Sequence, residues 1–255
     1  MKITVLGCSG GIGGDALRTT SLLIDDDILI DAGTGAADLS LAALAAINHV
    51  FITHAHLDHI ATLPLLIDAT ADLRTHPLTV YASAATLKVL QKHIFNWAIW
   101  PDFSAIPSPA QAVMRYQTIH LAQTTRLGTR CITALPAEHT VPAVGYQLDS
   151  GEASLVFTGD TTINPRFWPI VNQITNLRYL IIETAFSNRE QALAALSKHL
   201  CPSMLAAELG HLTRPAEIFI THLKPGQDRL TMAEIAACLS QRQAKMLHNK
   251  QIFEL

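Results

Sequence analysis

The chain has 255 residues, 49% of them hydrophobic and 15% charged, with a formal net charge of −3. Such a composition supplies a large core and excludes intrinsic disorder. With no basic block, it also argues against a protein whose affinity comes mainly from nucleic-acid phosphates. Cys8, Cys131, Cys201 and Cys238 are far apart and form no C-x-x-C, so they read as reduced thiols of a cytoplasmic protein. No apolar run reaches the length of a membrane span, and the one after Lys2 is too short for a signal-peptide core.

From the N-terminus, residues 3–6 read as a strand that stops at the glycine-rich turn of residues 7–14. This turn lacks the lysine of a P-loop, so it reads as a tight turn bordering a site. Residues 21–24 and 28–31 flank Asp25, Asp26 and Asp27 and predict a hairpin. The alanine- and leucine-rich residues 36–47 read as a helix, and residues 50–52 as a buried strand. Residues 60–73 predict a helix that accepts Pro64 near its first turn. Residues 78–81 form a short strand, and Ser83 caps a helix running to about residue 95. Residues 96–103 then hold Trp97 and Trp100 outside any regular period. This aromatic loop fits a base-stacking wall, a lid, a dimer contact or a core plug. Residues 112–157 read as extended, with turns at Gly128 and at Asp149-Ser150-Gly151, which suits the second half of a β-sandwich.

The densest chemistry follows the strand at 50–52, in Thr53-His54-Ala55-His56-Leu57-Asp58-His59. In an extended backbone His54 and His56 point the same way, because side chains alternate with period two. The two imidazoles can therefore share one metal, while Asp58 and His59 face a neighbouring position. Imidazole nitrogen with carboxylate oxygen suits zinc, and an incomplete protein ligand set leaves room for water. Three further candidates end predicted strands downstream. His139 follows residues 132–135, Asp160 ends the run from residue 155, and His222 ends residues 218–222.

H-x-H-x-D-H followed in order by His139, Asp160 and His222 resembles the metallo-β-lactamase-fold hydrolases. The resemblance implies an α/β fold, an αββα sandwich, as a single domain over residues 1–255. It further implies that His54, His56 and His139 hold one metal and that Asp58, His59 and His222 hold the other. Asp160 then bridges the two, and Asp31 in the D-x-G turn sits behind them. The implied cofactor is two zinc ions per chain, with manganese or iron as alternatives.

Two later segments resemble the phosphodiesterase branch of that fold. Residues 180–186 read as a strand ending in Glu183, and Ser187 with Glu190 predicts a capping box for a helix over 189–197. His199 lies just ahead of Cys201 and of Pro202, which is placed to start another helix. The resemblance implies that His199 stabilises a phosphoryl oxygen or protonates the leaving group, with Glu183 nearby, and that Asp58 orients the attacking hydroxide. The match is to class II cyclic-nucleotide phosphodiesterases, through His56-Leu57-Asp58-His59-Ile60, residues 90–96, Ile99-Trp100-Pro101-Asp102 and Thr221-His222-Leu223-Lys224-Pro225. The chain departs from that pattern at Thr62, Pro64 and Ile67. It also lacks the long insertion with which tRNA 3′-processing endonucleases grip their substrate. The expectation is a binuclear zinc phosphodiesterase hydrolysing 3′,5′-cyclic AMP, or cyclic GMP, to the 5′-nucleotide, with an RNA-processing phosphodiesterase as the alternative. Its partner is a small cyclic nucleotide, with neither nucleic acid nor membrane expected and a homodimer left open.

Overall fold

Runs of Ile, Val and Leu pair into two mixed seven-stranded sheets in the computed structural model, which describes residues 1–14, 16–239 and 242–255. The first sheet takes β1 (Lys2–Gly7), β2 (Ser21–Ile24), β3 (Ile28–Ile30), β4 (His49–Phe51), β5 (Leu78–Ala82) and β6 (Met114–Thr118). The second takes β7 (Thr124–Leu127), β8 (Arg130–Pro136), β9 (Val144–Asp149), β10 (Ser154–Phe157), β11 (Leu177–Glu183), β12 (Glu217–Thr221) and β13 (Ala244–Met246). The last strand, β14 (Ile252–Glu254), returns to the first sheet and pairs antiparallel with β1. The extended stretch read over 112–157 is therefore divided, since β6 closes the first sheet and the second begins at β7.

Helices cover both outer faces, which gives the four layers of an αββα sandwich. Between the sheets lie Ile3, Val5, Phe51, Tyr146, Phe157 and Phe219. There Phe51 stacks on Tyr81 at 4.2 Å and meets Tyr146 edge-on at 5.7 Å. Each such aromatic pair contributes about 0.5–1.5 kcal/mol beyond the area it buries. On the first sheet's outer face, α1 (Leu41–Ala46), α2 (Leu57–Ile60), α3 (Leu63–Thr70) and α4 (Ala84–His93) flank a core built on Val50, Ile52 and Val80. On the second, α5 (Phe167–Val171), α6 (Gln191–Leu196), α7 (Pro202–Leu209) and α8 (Asp228–Cys238) flank one built on Val156, Leu180 and Ile220. Among the described residues, no helix is long and apolar enough to cross a membrane.

Three local expectations need correction. The helix expected over 36–47 is broken: a 3-10 turn, Thr34–Asp38, precedes α1, and Ser40 caps α1 by accepting from Ala43 N at 3.2 Å. A capping serine competes for backbone hydrogen bonds inside an otherwise helical composition. The helix expected over 60–73 is divided into α2, α3 and a 3-10 turn, with Pro64 in the first turn of α3. The Ser187–Glu190 capping box does not form. The two side chains bond each other at 3.2 Å, the segment makes a 3-10 turn, and Asn188 N turns instead to Glu234.

The aromatic loop is placed by the direction of α4. Strands β3 to β6 run parallel, so α4 leaves the C-terminal end of β5 and returns to the sheet's opposite end. Trp97 follows the last turn of α4, and the loop then bonds back to Met114, where β6 begins. Trp100 packs on the core together with buried Phe95 and Phe103, while Trp97 and Ile99 are each 65% exposed. At 1.5 Å per residue, α4 alone puts about 15 Å between this loop and Ser83 at its start. The core-plug reading fits Trp100, and the loop lies away from the histidine cluster.

Candidate metal centre

Every candidate site residue except His199, which lies in the turn between α6 and α7, sits where a strand ends. Strands β8, β10, β11 and β12 all point the same way in the second sheet, and β3 and β4 do so in the first. The loops after β3 and β4 carry Asp31 and the 53–59 cluster. Those after β8, β10 and β12 carry His139, Asp160 and His222, while β11 ends in Glu183. Grouping at the carboxyl ends of parallel strands is how open α/β sheets build their crevices.

The seven predicted metal residues come together in two groups that share Asp160. His54, His56, His139 and Asp160 form one, and Asp58, His59, His222 and Asp160 the other, with donor atoms in each all within 4.8 Å of one another. His222 Nε2 lies 3.2 Å from both Asp58 Oδ2 and Asp160 Oδ2, and His59 Nε2 lies 3.3 Å from Asp160 Oδ1. His139 Nε2 and His56 Nδ1 stand 3.2 Å apart.

Support behind these side chains fixes their orientation. Asp31, fully buried, accepts from Thr53 N and Thr53 Oγ1, each at 2.8 Å, and lies 2.7 Å from His59 Nδ1. Its φ of 57° is the left-handed conformation, which Asp tolerates better than most residues. His139 Nδ1 donates to the Lys198 carbonyl at 3.0 Å, which leaves its Nε2 lone pair for the cluster. The glycine-rich turn acts sterically. A Cβ on Gly10 would stand 2.4 Å from His222 O and 2.7 Å from His222 Nδ1, so only glycine lets this turn close on that ring. Thr53, Lys198 and Gly10 were not singled out by the sequence as site supports. Only Thr53, beside the cluster, and Gly10, in the glycine-rich turn, had a signal there.

The electrostatics of the cluster bear on whether it fits a cation. Burial pushes the His59 ring toward neutrality, but Asp160 and Asp31 on either side carry its pKa well above the ordinary value. Burial likewise opposes charge on His222, yet Asp160 and Asp58 raise it to about 9. Burial holds His54 well below the usual imidazole value. Burial would raise Asp160, but His222 and His59 hold it well below the carboxylate range. His54 Nε2 and His59 Nε2 are buried without a hydrogen-bond partner. Buried, unpartnered ring nitrogens beside shared carboxylates fit a divalent cation, and the nitrogen–oxygen donor set suits zinc.

Glu183 and His199, sixteen residues apart, meet beside this cluster. His199 Nδ1 lies 2.7 Å from Glu183 Oε1, and the carboxylate also accepts from Thr161 N at 3.1 Å and Leu200 N at 3.3 Å. The His199 ring stands 4.9 Å from that of His139 and 5.1 Å from that of His222. Among the phosphodiesterase-branch residues expected, both therefore reach the crevice.

An αββα sandwich with this donor set at its strand ends defines a metal-dependent hydrolase of the metallo-β-lactamase type. The chain belongs to the beta-lactamase superfamily, whose domain matches residues 26–248. It is 28% identical to a probable 3′,5′-cyclic-nucleotide phosphodiesterase of Yersinia pestis over 92% of this chain and 83% of that one. It is 30% identical to a 3′,5′-cyclic-nucleotide phosphodiesterase of Aliivibrio fischeri over 70% of this chain, spanning 59% of that protein. Unliganded yeast PDE1 superposes with a TM-score of 0.82 over 100% of this chain and 99% of its own, at 19% identity.

The buried Asp31 offers a test of the supporting layer. In Asp31→Asn the amide keeps the shape but no longer holds a negative charge behind His59. Affinity for zinc should fall roughly 10- to 100-fold, the usual cost of losing a group that orients a metal-binding histidine. Competition with a chromophoric chelator measures it, and unaltered affinity would show that Asp31 serves folding alone.

Proposed function

We propose that the protein is a binuclear zinc phosphodiesterase that hydrolyses 3′,5′-cyclic nucleotides, cyclic AMP first, to the 5′-nucleotide. The Glu183–His199 pair facing two donor groups is the observation that carries this reading. The names of the relatives above support the substrate class. In this reading His54, His56 and His139 hold one ion and Asp58, His59 and His222 the other, with Asp160 shared. Bound there, the ions would supply positive charge to the phosphoryl oxygens and lower the pKa of water.

The remaining work falls to the chain's own groups. Glu183, fully buried and holding two backbone N–H groups, orients the His199 ring through Nδ1 and leaves Nε2 free to reach a phosphate. Nε2 can then give a proton to the departing ester oxygen, or a hydrogen bond to a non-bridging one. Asp58, whose side chain keeps 31% exposure, is the carboxylate of the cluster most open to water and can orient the attacking molecule. Asp58 is held ionised: burial opposes its charge, but the hydrogen bond with His222 and the His59 ring bring its pKa down.

In-line attack expels the ester oxygen opposite the entering one. With His199 on the leaving side, departure of the 3′ oxygen yields 5′-AMP, with solvent oxygen on phosphorus and not on the sugar. Chromatography of the product with ³¹P NMR in ¹⁸O-water decides this. Mainly 3′-AMP would reverse the orientation of the substrate, and no hydrolysis of any cyclic nucleotide would leave RNA processing as the reading to test.

A further inference from the structure

We propose that the cavity between the first turn of α4 and the loop at 137–144 receives the nucleoside of the substrate, with the Arg166 guanidinium lying against the base. The proposal rests on the cyclic-nucleotide reading above and assigns the part of the substrate that the donor cluster does not hold.

The cavity has a volume of about 470 Å³, inside the range of about 300–1,000 Å³ typical of small-molecule sites. His139 belongs both to its wall and to the donor cluster, so a phosphate held at the cluster stands at the cavity's edge. The floor and sides are apolar, from Ala85, Leu121, Val141 and Pro142. Leu121 is left 51% exposed on this wall, which leaves its side chain available to a flat apolar group. Hydroxyls brace the opening, since Thr86 Oγ1 accepts from or donates to Ser83 Oγ at 3.0 Å and donates to Pro142 O at 3.4 Å.

Charge on the rim suits the same occupant. Glu138 is flanked by Lys198 Nζ at 2.5 Å and Arg166 Nη2 at 3.4 Å, two cations against one carboxylate. That leaves Arg166, the longer of the two contacts, without a full counter-charge of its own. The Arg166 side chain is 64% exposed and held at one edge only, so its planar face is available to a ring. Guanidinium planes stack on aromatic faces in a way that an ammonium does not.

Two other hollows among the described residues compete less well. One, about 710 Å³, is lined by Asn176, Arg178 and Glu217 at the start of the parallel strands, the end opposite the donor cluster. A third, about 230 Å³, lies under the glycine-rich turn against Cys8 and Leu247. Trp97 stands beyond the far end of α4, so the base has no route to it from the cluster.

Filling the cavity tests the proposal. Ala85 and Leu121 both line the cavity and are exposed, so Ala85→Trp and Leu121→Trp should fold and fill it. For each, the ratio of kcat/KM on cyclic AMP to that on methyl p-nitrophenyl phosphate should fall roughly 10- to 100-fold, the range that stacking one base supplies. Saturation-transfer NMR with adenosine, which needs no turnover, should give a signal on the wild-type protein that weakens in both variants. A ratio within twofold of wild type together with undiminished adenosine signal would overturn the cavity assignment while leaving the cyclic-nucleotide reading intact. Adenosine bound here by a protein that hydrolyses no cyclic nucleotide would instead sink the substrate reading and keep the cavity as a nucleoside site.

Discussion

On the proposed binuclear reading, Asp160→Ala should lose at least one of the two ions per chain and nearly all turnover. Asp160 is the residue common to both donor groups, with its oxygens 3.2 Å from His222, 3.3 Å from His59 and 3.7 Å from His54. A carboxylate in that position would hold two ions together and offset charge that the six other donors would otherwise share unevenly. Alanine leaves the imidazoles facing one another with no anion between them. Unlike a peripheral ligand, Asp160 cannot be replaced by a neighbour, because Asp58 reaches only His222 and His59. Metal analysis after exhaustive dialysis, alongside thermal denaturation to confirm folding, gives the result. A variant with full occupancy and normal turnover would remove the bridging role.

Much of this centre was legible because its donors are local or stand at recognisable strand ends. His54, His56, Asp58 and His59 lie in one short loop, and Asp160 and His222 each close an apolar run whose strand character is plain. What supports them was not legible, for a physical reason. The Lys198 carbonyl that fixes His139 is a backbone atom that any residue would provide, and it reaches the site only through the turn between α6 and α7. Gly10 meets His222 across more than two hundred residues, a contact that exists only once β1 and β12 lie in facing sheets. The helix boundaries failed where a local polar group outweighed composition, as with Ser40 in its run of alanine and leucine. The aromatic loop was ambiguous because its composition suits a ligand wall and a core plug equally. The direction of α4 separates them, and that direction follows from the parallel pairing of β5, which sequence periodicity does not report.

His199→Ala should keep its metals and its fold yet lose roughly 10²–10⁴ in kcat on cyclic AMP, about 3–5 kcal/mol of transition-state stabilisation. The ring is only 8% exposed and packs beside His139 and His222, but no donor group includes it. Among the described residues its one charged partner is Glu183, which it meets through Nδ1. Two roles fit that geometry, and the leaving group tells them apart. An alkoxide leaving from ribose needs a proton, whereas p-nitrophenolate does not. If His199 is the acid, the variant should lose far less on methyl p-nitrophenyl phosphate than on cyclic AMP. If His199 instead bonds a non-bridging oxygen, both substrates should lose alike. Glu183→Gln should give a smaller loss in the same direction, because the ring stays while the hydrogen bond that orients it weakens. Loss of metal from His199→Ala would make it part of the centre's support, and turnover equal to wild type would take it out of the chemistry.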